Sequence, residues 1–479
     1  MSERSGTSLQ DNRIFSPMAD ESGALQPPNK RRFDIVAMWQ VTSMSLGIGL
    51  FSIPYCFVKL GMAASFFWVA LLGTCAASAM IFLLDLAVLK KVDSYELLAE
   101  IAFGKTGKVF MAGLTAVTTF IATLSYMSAA CTLLSNMIVQ FFLGLDVNSH
   151  SQSAPVIILD DRKHAMLLTV LALIVFPRCL SKSMGDHEWI STASVITITC
   201  TGVCFIALCV DELARGCPNC GNRAPEISDS VSDTLQYIAT LAFSFSMVFA
   251  VFPVMKDRLA QDGVQMEEAV SSMKPVVIGS VTLSCIIYCL VGVMGAVTFG
   301  DMTKSVGINN LALSNPIAQV ISLIVGINCM LLVPVISFPT LQSVELLMAT
   351  SRSYEQDLPA YTRPVLVVLL AVLVILVDVF LPTKIAFALT GSLGCSLSAY
   401  IIPCLLFLKL VARSSCKLLA MFVLIVGCVL LFASTPVTMI SLIGGDSDIG
   451  KDARPVSLAE AFCSTSWARA SNFVAELSV

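Results

Sequence analysis

Met38-Trp39-Gln40-Val41-Thr42-Ser43-Met44-Ser45-Leu46-Gly47-Ile48-Gly49-Leu50-Phe51-Ser52-Ile53-Pro54-Tyr55 is an apolar segment of membrane-spanning length with helix-breaking residues at its centre. A helix crossing a bilayer satisfies its backbone hydrogen bonds internally, because lipid offers no partners. Gly47 and Gly49 flank Ile48, and Pro54 follows, so a continuous helix is disfavoured there. Unwound chain at membrane depth is tolerated only where it lines a cavity or is buried in protein. Its freed amides can bind an anionic group and its freed carbonyls a cation. The segment therefore predicts a binding site inside the membrane, of the kind that transport requires.

Outward from it, the whole chain reads as membrane protein. Of its 479 residues 56% are hydrophobic and 13% charged, and the mean hydropathy is +0.83, outside the range of soluble globular chains. Apolar stretches near the ~20 residues needed to span a bilayer recur throughout. Eleven are expected, at about 34–58, 62–88, 109–142, 165–179, 189–210, 233–254, 275–298, 316–341, 364–381, 385–408 and 416–440. Residues 1–33 are polar and read as a disordered tail preceding the first span, so no cleavable signal peptide is expected. Residues 441–479 read as a C-terminal tail.

Lys and Arg lie outside these spans or at their edges, as expected when a charge at the bilayer centre costs roughly 2.5–3.5 kcal/mol. A cytoplasmic N-terminus puts 19 of the 29 basic residues on the inner side, led by Lys30-Arg31-Arg32. With eleven spans the C-terminus is then outside or lumenal, and plasma membrane and a vacuole- or lysosome-like organelle both fit. Most of the 17 cysteines fall inside spans, as small packing residues. Cys217-Pro218-Asn219-Cys220 is the exception, in a polar outer loop. It reads as a local disulfide, with a zinc half-site or a redox role as alternatives that no second CxxC or nearby His completes.

The sixth span is also interrupted: Leu241-Ala242-Phe243-Ser244-Phe245-Ser246-Met247-Val248-Phe249-Ala250-Val251-Phe252-Pro253 alternates serines with aromatics and ends on proline. Spans 1 and 6 each begin a set of five, and matching interruptions in two halves point to a transporter site. Small residues that merely let helices approach are the alternative reading.

Several strings resemble the amino acid/auxin permease family, which includes vacuolar, proton-coupled and sodium-coupled neutral amino acid transporters. They are Gly47 to Tyr55; Ser94-Tyr95-Glu96-Leu97-Leu98-Ala99-Glu100-Ile101-Ala102-Phe103-Gly104; Thr298-Phe299-Gly300-Asp301; Val333-Pro334-Val335-Ile336-Ser337-Phe338-Pro339; and Gly391-Ser392 through Ile402-Pro403 to Leu408-Lys409-Leu410. The resemblance implies the LeuT-type fold: an all-α integral membrane protein with two inverted five-helix repeats, here about 34–210 and 233–408, plus an extra helix at about 416–440. It also implies secondary transport of amino acids by alternating access, with no enzymatic step and no cofactor.

A neutral amino acid needs donors for its carboxylate, which amides around Gly47, Ile48 and Gly49 would supply. Its ammonium needs acceptors, for which Thr42, Ser43 and Ser45 in span 1 and Phe243 and Ser244 in span 6 are candidates. Phe243 and Phe245 would wall the side-chain pocket, with Ser246 as a polar contact. Ser125 and Tyr126 in span 3 fall where the family lines its pocket; an interhelical hydrogen bond is their alternative role. No acidic residue lies near the middle of any span, which favours a small neutral substrate.

Sodium-coupled relatives carry an Asn in the first helix, which falls here on Ser43 or its neighbour, and a Thr before the Val-Pro of helix 8, where this chain has Leu332. Leu offers no oxygen to a hard cation. A proton is expected by elimination, with Asp85 and Asp378 near span ends and His150, His164 and His187 in loops or at an edge. Facilitated or sodium-coupled transport remains open, as does an amino acid sensor. Arg178, Lys182, Asp186, His187 and Glu188 read as a solvated loop or as an inward-gate latch, and 256–274 as a surface helix joining the repeats. A membrane enzyme would need clustered metal-binding or nucleophilic side chains, and three scattered His do not supply them.

Overall fold

A computed structural model describes residues 34–143, 161–181, 183–216, 231–262, 265–303, 307–310, 316–351, 359–378, 383–411 and 416–444. The tails expected at 1–33 and 445–479, and the Cys217–Cys220 pairing, lie outside these residues. The described residues are helical throughout, with no strand. The helices are α1 Ile35–Ser43, α2 Ile53–Leu60, α3 Met62–Lys90, α4 Tyr95–Leu143, α5 Asp161–Val175, α6 Glu188–Ala214, α7 Val231–Phe243 and α8 Val248–Asp262. They continue as α9 Met266–Phe299, α10 Pro316–Ser351, α11 Thr362–Asp378, α12 Thr383–Leu389, α13 Ile402–Leu410, α14 Lys417–Val429 and α15 Thr435–Gly444. A π-helical stretch, Thr390–Ile401, joins α12 to α13.

Eight helical stretches among the described residues are long and apolar enough to cross a membrane. Gly49–Leu60 and Met166–Leu180 are shorter apolar helices. The reason for the shortfall against eleven is local: the first expected span is divided at its glycines, and α5 and α11 are 15 and 17 residues long. Two glycines in the family-like strings set boundaries. Gly104, at φ 72°, lets α4 change direction, and Gly300, at φ 49°, ends α9; both sit where a side chain strains the backbone.

Apolar side chains such as Leu173, Leu418 and Phe432 are more than 70% exposed on the outer surface, a belt that water would reject and acyl chains would cover. The last apolar stretch, Lys417–Ile440, is the least buried of the eight, so it lies at the periphery. Inside, α4 and α10 form the most extensive helix pair, tied by Thr119 and Thr340, whose hydroxyls lie 2.6 Å apart. The segment read as one surface helix at 256–274 is instead the end of α8 and the first turns of α9. Its charged composition reflects a helix leaving the apolar layer.

Candidate functional site

The first interruption follows from its glycines and proline. α1 stops at Ser43, residues 44–47 turn, a 3-10 segment runs Ile48–Ser52, and Pro54 sits in the first turn of α2, where its missing N–H costs nothing. The second interruption spans residues 244–247 between α7 and α8, with amides of Ser244, Phe245 and Ser246 bonded three residues back to Leu241, Ala242 and Phe243.

The two interruptions hold each other. Ser45 Oγ donates to the Ser244 carbonyl at 2.7 Å, and Ser246 Oγ donates to the Met44 carbonyl at 3.3 Å. Tyr288 of α9 brings its hydroxyl within 2.8 Å of the carbonyls of both Ser45 and Ser244 and 2.6 Å of Ser45 Oγ, with Ser284 Oγ 3.2 Å from Ser45 Oγ. Three hydroxyl protons thus serve two carbonyls that helix geometry leaves over, so backbone can unwind in an apolar interior without an orphaned acceptor. Ser280, two turns before Tyr288, donates to the Met38 carbonyl at 3.2 Å. Sequence reasoning missed this stripe; Ser280, Ser284 and Tyr288 at four-residue spacing, one polar face in an apolar helix, were the available signal.

Of the nominated residues, Gly47, Phe243 and Ser246 converge with Tyr126. A Cβ at Gly47 would fall 1.7 Å from the Tyr126 hydroxyl, so the ring lies flush on the turn. Phe243 stacks on Phe387 of α12 at 5.1 Å. Phe245 turns away, edge-on to Tyr288 at 5.6 Å. Ser125 donates within its own helix to Ile121 at 2.8 Å, and Ser43 to Gln40 at 2.8 Å. The Thr42 carbonyl already accepts from Ser45 and Leu46, while the Thr42 hydroxyl is buried without a partner. Ile48 and Gly49 open the 3-10 segment, where first-turn amides have no intrahelical acceptor.

Beside the interruptions lies an enclosed cavity of about 10 Å³, room for roughly one water. Met44, Phe243, Ser246 and Phe249 close one side. Thr118, Thr119, Ala122 and Tyr126 of α4 form the opposite wall, with Ile336 of α10 and Thr390 of the π stretch. Every lining side chain is uncharged. Leu332 is fully buried and adds no oxygen.

A second constellation lies at the N-terminal end of α1. Arg258 of α8 pairs with Asp34, which caps α1 by accepting from the amides of Val36 and Ala37 at 2.8 and 3.2 Å. Asp257 accepts from the Gly185 amide and, at 3.3 Å, from Ser183 Oγ; Lys256 reaches Asp93 at 3.7 Å. Arg363, almost wholly buried, bonds Glu345 at 3.1 Å and the Ser181 carbonyl, and its guanidinium lies over Phe338. His187 is 2% exposed and faces the same ring at 6.4 Å, so the loop read as solvated tucks its imidazole inside. Asp85 pairs with Lys274 at 2.5 Å, both half-exposed.

Residues 35–440 match the family described as transmembrane amino acid transporter protein. The chain is similar to amino acid transporter AVT6E of Arabidopsis thaliana, 22% identical over 401 residues, covering 79% of this chain and 76% of the relative. It is also similar to amino acid transporter AVT6C of the same plant, 22% identical over 335 residues, covering 67% and 73%. Among solved structures it resembles MhsT in complex with L-phenylalanine, with TM-score 0.53 and 14% identity over 85% of this chain and 97% of that one. It likewise resembles Mhp1, a nucleobase-cation-symport-1 family transporter, with TM-score 0.53 and 13% identity over 90% and 94%. These likenesses place the fold among LeuT-type transporters. With most of its length matched, the chain belongs to the transmembrane amino acid transporter family, whose members are membrane carriers and not enzymes.

Proposed function

We propose that this protein is a secondary active, proton-coupled carrier of small neutral amino acids that works by alternating access around its interrupted first and sixth spans. The observation that carries the reading is the interlock of the two interruptions beside a cavity walled only by uncharged side chains. A cationic or anionic substrate would need a countercharge in that wall; a zwitterion needs only amides for its carboxylate and carbonyls or hydroxyls for its ammonium. The amides opening the 3-10 segment at Ile48 and Gly49 take the first role. The Ser45, Ser244 and Ser246 region takes the second, in exchange for part of the internal bonding described above. The cavity at about 10 Å³ is too small for an amino acid, so this arrangement is a closed form that must part to load.

Eleven spans in a five-plus-five inverted repeat, with the N-terminus cytoplasmic, put the Asp34–Arg258 and Asp257–Gly185 contacts on the cytoplasmic face, where they would close the inward path. The chain would act in the plasma membrane or in a vacuole- or lysosome-like organelle. Proton coupling is favoured because Leu332 supplies no oxygen where a sodium site would want one.

The test is uptake of labelled neutral amino acids into proteoliposomes under an imposed proton gradient, with sodium absent. The expected result is accumulation that a protonophore abolishes. Equilibration without accumulation would replace symport with facilitated transport, and binding without flux would make the chain a sensor.

A further inference from the structure

The cavity is a slot running along one face of α4. Thr118, Ala122 and Tyr126 line it at four-residue spacing, so they stack on successive turns over a rise of ~12 Å. Tyr126 marks one end, with its hydroxyl against Gly47 at the first interruption. Thr118 marks the other.

The remaining hydroxyls of the slot are engaged. Thr119 donates to the Thr115 carbonyl and meets Thr340, Ser246 bonds the Met44 carbonyl, and Thr390 donates to the Ala386 carbonyl at 2.8 Å. Thr118 differs: it is 2% exposed and its Oγ1 has no partner among the described residues. A buried hydroxyl without a partner carries a desolvation penalty that a polar ligand group would remove. Its side chain is also fixed in place. A Cβ on Gly394 of the π-helical stretch would come 2.4 Å from the Thr118 methyl, so that backbone lies directly against it.

We propose that Thr118 is a specificity-determining residue whose hydroxyl reads a hydrogen-bonding group on the substrate side chain, favouring neutral amino acids with a side-chain hydroxyl or amide. The inference rests on the amino acid transport reading above. With the carboxylate held at the Ile48–Gly49 amides, a side chain laid along α4 passes Ala122 and the apolar walls of Met44, Phe249 and Ile336 before meeting Thr118. An aliphatic side chain would fill that passage and leave the hydroxyl unpaired. A serine, threonine, asparagine or glutamine side chain would pair it.

The test measures uptake of serine, threonine, asparagine, glutamine, alanine and valine by the full chain in proteoliposomes, expressed as the ratio of polar to aliphatic kcat/KM. The wild-type ratio is expected to be roughly 10-fold above unity for the best-fitting polar substrate, the discrimination that one buried hydrogen bond confers. Thr118→Val, which keeps the shape and removes the hydroxyl, should collapse the ratio, and Thr118→Ser should retain it. A wild-type ratio near one, or a ratio unchanged in Thr118→Val, overturns the proposal while leaving amino acid transport standing. A ratio lost equally in Thr118→Val and Thr118→Ser assigns Thr118 to packing and also overturns it. Absence of flux and of binding for all six amino acids would overturn the transport reading and this inference with it.

Discussion

An alanine methyl at position 47 would fall 1.7 Å from the Tyr126 hydroxyl, whereas one at position 49 would sit 3.5 Å from Ser244 Oγ, an ordinary contact. Overpacking of the first kind costs about 1–3 kcal/mol when a ring must leave its seat. Gly47→Ala is therefore expected to lower the initial uptake rate by roughly 10-fold or more, with Gly49→Ala within about 3-fold, at matched amounts of protein in the membrane. Equal effects would show that backbone freedom, and not the Tyr126 contact, decides the first glycine. The sequence reading could mark both positions, because glycine chemistry is local. It could not rank them, because Tyr126 lies some eighty residues further along the chain. The same limit hid Tyr288 and Ser284, whose partner Ser45 is 243 and 239 residues away. Thr118 was invisible for a further reason: a threonine in an apolar helix is ordinary, and only the engagement of its neighbours singles it out.

At the scale of the element, the end of α8 sends three consecutive charged residues to three different neighbours. Lys256 meets Asp93 at 3.7 Å with both side chains partly exposed, a contact of about 0–1 kcal/mol. Asp257 receives the Gly185 amide and the Ser183 hydroxyl, and hydrogen bonds to a charged group are worth about 1.5–3 kcal/mol. Asp257→Asn is accordingly expected to raise hydrogen exchange at the Gly185 amide by roughly 10-fold, with Lys256→Ala changing it by less than about 3-fold. If the two variants exchange alike, the loop at 183–187 is held by something other than Asp257. The interruption of the sixth span was legible from its serines and Pro253. The hold on this loop was not. His187 and Asp186 beside Arg178 read as a solvated charge run, and only the fold brings Phe338 and Arg363 over the imidazole and Asp257 under Gly185. Charge patterns specify a face of an element, but what meets that face is a property of the assembled bundle.

Over the whole molecule, composition and periodicity were enough for the class, since an all-helical membrane chain leaves its mark on every segment. How the helices seat on one another depends on approach distances that no single segment encodes. A Cβ at Gly391, at the start of the π-helical stretch, would lie 1.8 Å from the Ala239 carbonyl of α7, and a backbone oxygen cannot swing aside as a side-chain tip can. In the sequence, Gly391 with Ser392 is only part of a string resembling the family. In the structure it has a physical role, because it sets how closely the stretch after α12 approaches the first half of the interrupted sixth span. Gly113 of α4 is the internal contrast, because nothing lies within 4 Å of where its Cβ would be. Gly391→Ala must separate two backbones in the interior, while Gly113→Ala exchanges a flexible residue for a better helix former by about 1 kcal/mol. The expected outcome in detergent size-exclusion chromatography is that Gly391→Ala loses most of its monodisperse peak and melts at a lower temperature. Gly113→Ala should match or exceed the wild type in both. A Gly391→Ala protein that elutes and melts like the wild type would mean that the two helices can part without loss of the fold, and that their close approach belongs to the closed form alone.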